Sequence, residues 1–304
     1  MEKGKLRKIR EVFKITIKKW WGRDPFRESA VIAYNAIFSL PGLLVVVVTV
    51  AGYFFGAEAV SGKLHQQISE AMGPDTAYQI KEMLAAANKS KDSWWATAIG
   101  VLVIIIGATG VFVQLQKSLN NIWEVKASEK KSGMLTLLRT RLFSFGLILS
   151  IAFLLLVSLV VSSVLAALGD WISGFGAESL LILFKIINFI ISVGIITLLF
   201  ALMFKILPDA KIQWNFVWVG AFCTALLFTL GKSALGLYFG KADPGSGYGA
   251  AGSIILILLW TSYSSMIVFF GAEFTKVYTE LFHGEIAPSE NAVKKITYPL
   301  PTNS

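Results

Sequence analysis

The chain has one cysteine and two histidines in 304 residues, and only 15% of its residues are charged. A single cysteine, Cys223, excludes an intramolecular disulfide and any multi-cysteine metal site. His65 and His283 are far apart and form no HExxH motif, so the dense His/Asp/Glu set of a metallohydrolase or zinc nuclease is missing. There is no GxSxG elbow, no Walker A lysine and no dinucleotide fingerprint. An intramembrane protease would need a histidine or a pair of aspartates within its apolar segments, and neither is present. No catalytic residues, cofactor or metal are therefore expected. The chain reads as a non-enzyme.

What is abundant is apolar. Hydrophobic residues make up 55% of the chain and its mean hydropathy is +0.65, a membrane-protein composition. A helix needs roughly 20 mostly apolar residues to cross a hydrocarbon core of ~30 Å. Six stretches qualify: 29–55, 94–113, 143–168, 181–207, 214–238 and 250–275. They are too long for strands and lack period-2 alternation, and helices satisfy their own backbone polar groups in lipid. The expected fold is an all-α integral membrane protein with six transmembrane helices.

A net charge of +9 raises the question of nucleic acid, and the positions of the basic residues answer it. Of 28 Lys and Arg, 21 fall in the N-terminal segment, the connections after the second and fourth stretches (counting Lys205 at the end of the fourth), and the C-terminus, against five in the other connections. That bias places both termini in the cytoplasm and accounts for the basic charge, so no nucleic-acid partner is expected. In "KLRKIREVFKITIKKWWGRDPF", Leu6, Ile9, Phe13, Ile17 and Trp20 form one helical stripe among Lys and Arg. It predicts an interfacial amphipathic helix on the cytoplasmic leaflet, with Trp20 and Trp21 at headgroup depth and membrane lipids, anionic ones included, as partners.

The organisation that follows is an amphipathic segment over 1–27, a six-helix membrane domain over 28–278 and a cytoplasmic tail over 279–304. The external connection 56–93 is polar, and Pro74 stands where a short capping helix can start. Inside the spans, polar residues carry the functional information because burying them in lipid is costly. Asn35 and Ser39 share a stripe with Glu28 on the first span, where Pro41 loosens the helix. Lys185 and Asn188 lie on the fourth span and Lys232 on the fifth. Ser262 leads along the sixth toward Glu273. These residues are candidates for a substrate or ion pathway. The plainer alternatives are snorkelling lysines, helix-to-helix hydrogen bonds, and a Glu273 paired with Lys276, Arg139 or Arg141.

Four blocks give the chain a resemblance: "ESAVIAYNAIFSLPGLLVVVV" at 28–48, "LQKSLNNIWEVK" at 115–126, "FKILPDAKIQW" at 204–214 and "YGAAGSIILILLWTSYSSMIVFFGAEFTKVY" at 248–278. In these it resembles the YihY/BrkB family of bacterial inner-membrane proteins, once labelled ribonuclease BN. The resemblance implies six membrane helices in a bacterial plasma membrane and defines no catalytic residues. It puts Tyr34, Asn120, Trp123, Pro208, Gly249, Gly252 and Glu273 at motif positions. The missing catalytic cluster argues against ribonuclease chemistry. Two readings stand: a non-ATP-driven transporter or lipid-handling protein with a polar cavity, taking an anionic lipid-linked substrate or exchanging cations for protons, and a membrane scaffold that transports nothing. They diverge on whether Glu273, Lys185 and Asn35 share a solvent-reachable cavity or are individually paired and sealed.

Overall fold

A computed structural model of the chain describes residues 2–88, 109–127, 178–242, 244–290 and 292–295. The predicted span at 143–168 and most of that at 94–113 lie outside the described residues. Helix α1 (Glu2–Gly22) ends before Asp24, which adopts a left-handed φ of 53° and accepts the Arg27 N–H at 3.4 Å to cap α2 (Pro25–Phe55). Pro25 in the first turn loses no helical hydrogen bond. Pro41 does, since proline has no N–H to donate. The halves Pro25–Leu40 and Gly42–Thr49 diverge by 55°.

Helices α3 (Ala57–Met72) and α4 (Pro74–Asn88) form a hairpin about Gly73, whose φ of 92° suits glycine. Helix α5 covers residues 109–122 and leads into strand β1 (Val125–Ala127). Then come α6 (Glu178–Ile206), β2 (Ala210–Lys211) and α7 (Trp214–Ala242). A 3-10 turn (Ser246–Ala251) opens α8 (Gly252–His283), followed by β3 (Ala287–Pro288) and β4 (Ala292–Lys294). The fold is mostly helical. Among the described residues, three helices are long and apolar enough to cross a membrane, and the bent α2 makes a fourth if its halves count as one span. Leu183, Ile186, Phe189, Phe222, Leu230 and Leu237 point outward, as they do when lipid is the solvent.

Helices α7 and α8 meet through small residues. A β-carbon on Gly220 would collide with the Thr275 hydroxyl and lie 2.7 Å from Thr275 Cβ; one on Gly271 would collide with Thr224 in the same way, 2.8 Å from its Cβ. The contact is reciprocal, Gly220 and Thr224 on one helix against Gly271 and Thr275 on the other, the small-xxx-small spacing that lets membrane helices approach closely. Each threonine hydroxyl donates to the glycine carbonyl one turn back at 2.7 Å, so no polar group is stranded. Around this crossing pack Phe200, Ala201 and Phe204 of α6 with Trp123.

Four segments distant in sequence converge at one end of the bundle. Strand β1 pairs antiparallel with β4, Val125 opposite Lys294, and β2 pairs with β3. Asn120 and Asp209 exchange hydrogen bonds: the amide donates to the carboxylate at 2.8 Å and its oxygen accepts the Asp209 N–H at 2.7 Å. At the other end the α3–α4 hairpin packs Ile80 and Leu84 on Leu44 and Ile257, and the Ser253 hydroxyl bonds Gln79. Ser253 and Glu273 are twenty residues apart on one helix, about 30 Å at 1.5 Å per residue. That is one hydrocarbon thickness.

Gly271→Ala is expected to destabilise the chain by about 1–3 kcal/mol, because a β-branched threonine in a helix cannot rotate away. Adding Thr224→Ala should recover part of the loss. Thermal unfolding in detergent measures both, and equal midpoints for wild type and Gly271→Ala would contradict the packing.

Candidate functional site

The end where the four segments meet holds a line of alternating charges. Glu273 is 1% exposed, deep in the last third of α8. Its Oε2 accepts from Arg23 Nε at 2.8 Å. Arg23 belongs to the turn between α1 and α2, where the left-handed Asp24 redirects the chain. The rest of the guanidinium is also bound: Nη1 donates to the Asn121 carbonyl at 3.0 Å, and Nη2 to the Ile122 carbonyl at 3.3 Å and to Glu124 Oε1 at 3.0 Å. Those carbonyls end α5, where that of Asn121 also accepts the Glu124 N–H at 3.3 Å, so Arg23 helps to cap the helix as well as serving as the counter-ion of Glu273.

Glu124, with a left-handed φ of 56°, closes α5 and passes the charge onward. The buried Lys276 Nζ lies 2.7 Å from Glu124 Oε1, off the hydrogen-bond direction, so this contact is an ion pair rather than a directed bond. Lys276 also lies 3.6 Å from Glu280, which receives Lys19 of α1 at 3.1 Å. The sequence Glu273, Arg23, Glu124, Lys276, Glu280, Lys19 therefore alternates sign throughout. Its formal charge is zero. Burial opposes ionisation of Glu124, yet Lys276 and Arg23 outweigh it and hold its carboxyl below the ordinary value of 4.5.

One atom in the line has no partner: the buried Oε1 of Glu273. Glu273 lines a pocket of about 20 Å³ with Arg23, Glu28, Ser118, Trp20 and Phe269. That space suits roughly one water, which would satisfy the free oxygen. Ser118 donates to Glu28 at 3.0 Å on the same wall. Among the described residues, no group of three or more His, Cys, Asp and Glu is placed to hold a metal ion.

The pathway candidates separate. Asn35 is half-buried and its amide donates to its own helix at the Val31 carbonyl, 2.8 Å away. Ser39 is buried against α5, where its hydroxyl accepts the Val111 N–H at 3.2 Å. The Ser262 hydroxyl meets Ser29 at 3.3 Å, joining α8 to α2. Asn188 is half-buried, with its Oδ1 buried and unpartnered. Lys232 is exposed, and the side chain of Lys185 lies outside the described residues. Among the described residues, Glu273 lines the small pocket and Asn35 lines neither it nor the larger pocket at the far end. Trp20 donates from its indole to the Met266 carbonyl at 3.2 Å and stands edge-on to Phe270, whereas Trp21 is exposed. Helix α1 packs on α8 through Val12, which meets Phe274 and Val277, and through a ring contact of the half-exposed Phe13 with Phe274 at 5.1 Å, and it turns Ile9, Ile17 and Trp21 outward.

Sequence reasoning missed Arg23, Glu124, Glu280 and Lys19. The direct partner of Glu273 is Arg23, 250 residues earlier in the chain; Arg139 and Arg141 lie outside the described residues. The available signal was the buried carboxylate itself, which requires a cation from somewhere.

The chain is similar to known proteins over most of its length. A family profile described as "Virulence factor BrkB" matches residues 16–295. The chain belongs to the BrkB family. Among its relatives is a UPF0761 membrane protein of Pseudoalteromonas atlantica, 29% identical over 261 residues, covering 84% of this chain and 81% of that protein. Another, from Tolumonas auensis, is 27% identical, covering 80% and 77%. A third, from Alteromonas mediterranea, is 25% identical, covering 95% and 94%. No solved structure matches the chain. BrkB-family membership makes this a membrane protein, consistent with its long apolar helices.

Arg23→Ala strands the buried Glu273 charge and should cost roughly 3 kcal/mol, the low end for a broken buried pair because Arg23 itself reaches solvent. Arg23→Lys should retain part of that through the charge alone. Acid should loosen the same end. A carboxyl held below its ordinary value contributes stability above pH 4.5 that is lost as pH falls through its folded-state value. Unfolding midpoints measured from pH 7 downward should therefore fall less steeply in Glu124→Gln than in wild type. Parallel profiles would contradict the role of Glu124.

Proposed function

We propose that this BrkB-family chain is a non-ATP-driven transporter or lipid-handling protein of a bacterial inner membrane, with both termini cytoplasmic, and that the alternating charge line is its closure at the cytoplasmic end. The observation that carries this reading is Glu273: a carboxylate inside a membrane-length apolar helix, with one oxygen held by Arg23 and the other free at the wall of a pocket. A charge within a span costs at least about 2.5 kcal/mol on insertion scales. A purely structural tie has cheaper solutions, since apolar replacements of buried ion pairs are often neutral or stabilising. Glu273 is also held by a residue in an interhelical turn, and a turn can move without melting either helix. Moving it would release Glu273, Glu124 and the end of α5 together.

The scaffold reading keeps one observation of its own. Glu273 is buried and Asn35 is bonded to its own helix, and among the described residues Asn35 does not line the pocket at Glu273. The two readings differ in flux. The full chain is reconstituted in vesicles of phosphatidylethanolamine and phosphatidylglycerol, and proton leak and the transbilayer movement of a fluorescent phosphatidylglycerol are followed. Transport predicts a rate above protein-free vesicles in one assay, changed by about tenfold in Glu273→Gln, a barrier change of about 1.4 kcal/mol. Wild type indistinguishable from empty vesicles in both assays leaves the scaffold. An active wild type whose rate is unchanged in both Glu273→Gln and Lys185→Ala removes those residues from the pathway.

A further inference from the structure

The larger cavity lies at the opposite end, and no motif points to it. The second half of α2, beyond the Pro41 bend, diverges from the first by 55°; Leu44 packs on the α3–α4 hairpin, and beside that contact a gap remains between Val45, Val48 and Thr49 of α2 and the two hairpin helices. The gap has a volume of about 560 Å³. Pockets that take organic ligands run roughly 300–1,000 Å³. By that measure the pocket beside Glu273 has room for a water, and this one has room for an organic molecule.

Its walls are of two kinds. Val45, Val48 and Leu84 present an apolar surface, while Glu58, His65 and Lys81 bring an acid, an imidazole and a cation to the same space. Among the described residues neither Glu58 nor Lys81 has an ion-pair partner, and the buried Nδ1 of His65 has no hydrogen-bond partner. The charges of the other end are consumed in one another. These are free.

We propose that this pocket binds a membrane phospholipid, its phosphate at Lys81 and His65, a headgroup amine at Glu58 and an acyl chain along Val45, Val48 and Leu84. Three arguments select this occupant. The apolar wall belongs to a helix of membrane character, so acyl chains are the surrounding solvent and reach it without crossing water. A phosphate accepts hydrogen bonds and pairs with a lysine, which here has nothing else to pair with. A carboxylate beside that cation suits a zwitterionic head and disfavours a head of net negative charge. The site stands apart from the transport reading: a bound phospholipid is equally at home in a scaffold.

Gly62 gives a clean test. It lines the pocket, its φ is ordinary, and a β-carbon there would meet nothing within 4 Å. Gly62→Leu therefore starts from open space, adds bulk at the cavity wall and improves helix propensity, so the variant should fold as well as wild type. The full chain is reconstituted in phosphatidylethanolamine vesicles doped with a phosphatidylethanolamine carrying a photoreactive acyl chain, and labelled peptides are mapped. Labelling concentrated on residues 45–49, 57–65 and 81–85 is expected, reduced by about tenfold in Gly62→Leu with an unchanged unfolding midpoint, and reduced in Lys81→Glu. A fatty acid bearing the same photoreactive chain should label these peptides weakly. Labelling no stronger there than on the outward face around Phe189 and Leu230, or undiminished in Gly62→Leu, would overturn the proposal. Glu273→Gln should leave the labelling intact, so failure of the transport reading and failure of this site are told apart.

Discussion

A carboxylate placed in an apolar helix must find a cation or lose its charge, and in this chain Glu273 finds Arg23. Much of one end of the molecule is arranged by that requirement. Arg23 reaches Glu273 only because Asp24 takes a left-handed turn between α1 and α2. Having arrived, the guanidinium also caps α5 and contacts Glu124, which brings in Lys276, Glu280 and Lys19. One buried charge thereby sets the positions of the N-terminal helix, the end of α5 and the last turns of α8. Strands β1 to β4 and the Asn120–Asp209 exchange add backbone and amide bonds to the same junction.

Helix α8 links this junction to the far end. It is packed against α7 without room for a β-carbon at either glycine, so it transmits position rather than absorbing it. Helix α2 is the opposite case. Its first half carries Glu28 and Ser29 beside the charge line, its second half lines the large pocket, and the bend at Pro41 lies between them. A rigid helix and a bent one thus connect a closed, charge-paired end to an open, amphipathic one. This arrangement is what the functional proposals rest on.

Features encoded locally were legible in the sequence. Apolar length located the long helices among the described residues, Pro41 marked the bend, and Pro74 marked the start of α4. The N-terminal stripe was visible too, although α1 buries the neighbouring Val12 on α8 and turns Ile9 and Ile17 of that stripe outward. Pairings were not legible. Glu273 was singled out from its burial cost, but its partner is 250 residues away and no periodicity connects them. Ser39 looked like a pathway residue because helical spacing cannot tell a cavity from a neighbouring backbone, and it accepts a bond from Val111. Four very short strands, made by side-chain-independent ladders, leave almost no pattern to read. The large pocket left none, because it arises from the angle between a bent helix and a hairpin.

The central claim is that Arg23 and Glu273 act as one unit. The most direct measurement is a double-mutant cycle in detergent, with Arg23→Gln and Glu273→Gln singly and together, read as unfolding free energy. A coupled pair predicts that the double variant loses less than the two single losses combined, by about 2 kcal/mol. Losses that simply add would mean the two residues hold their places independently, and the charge line would not be what organises this end.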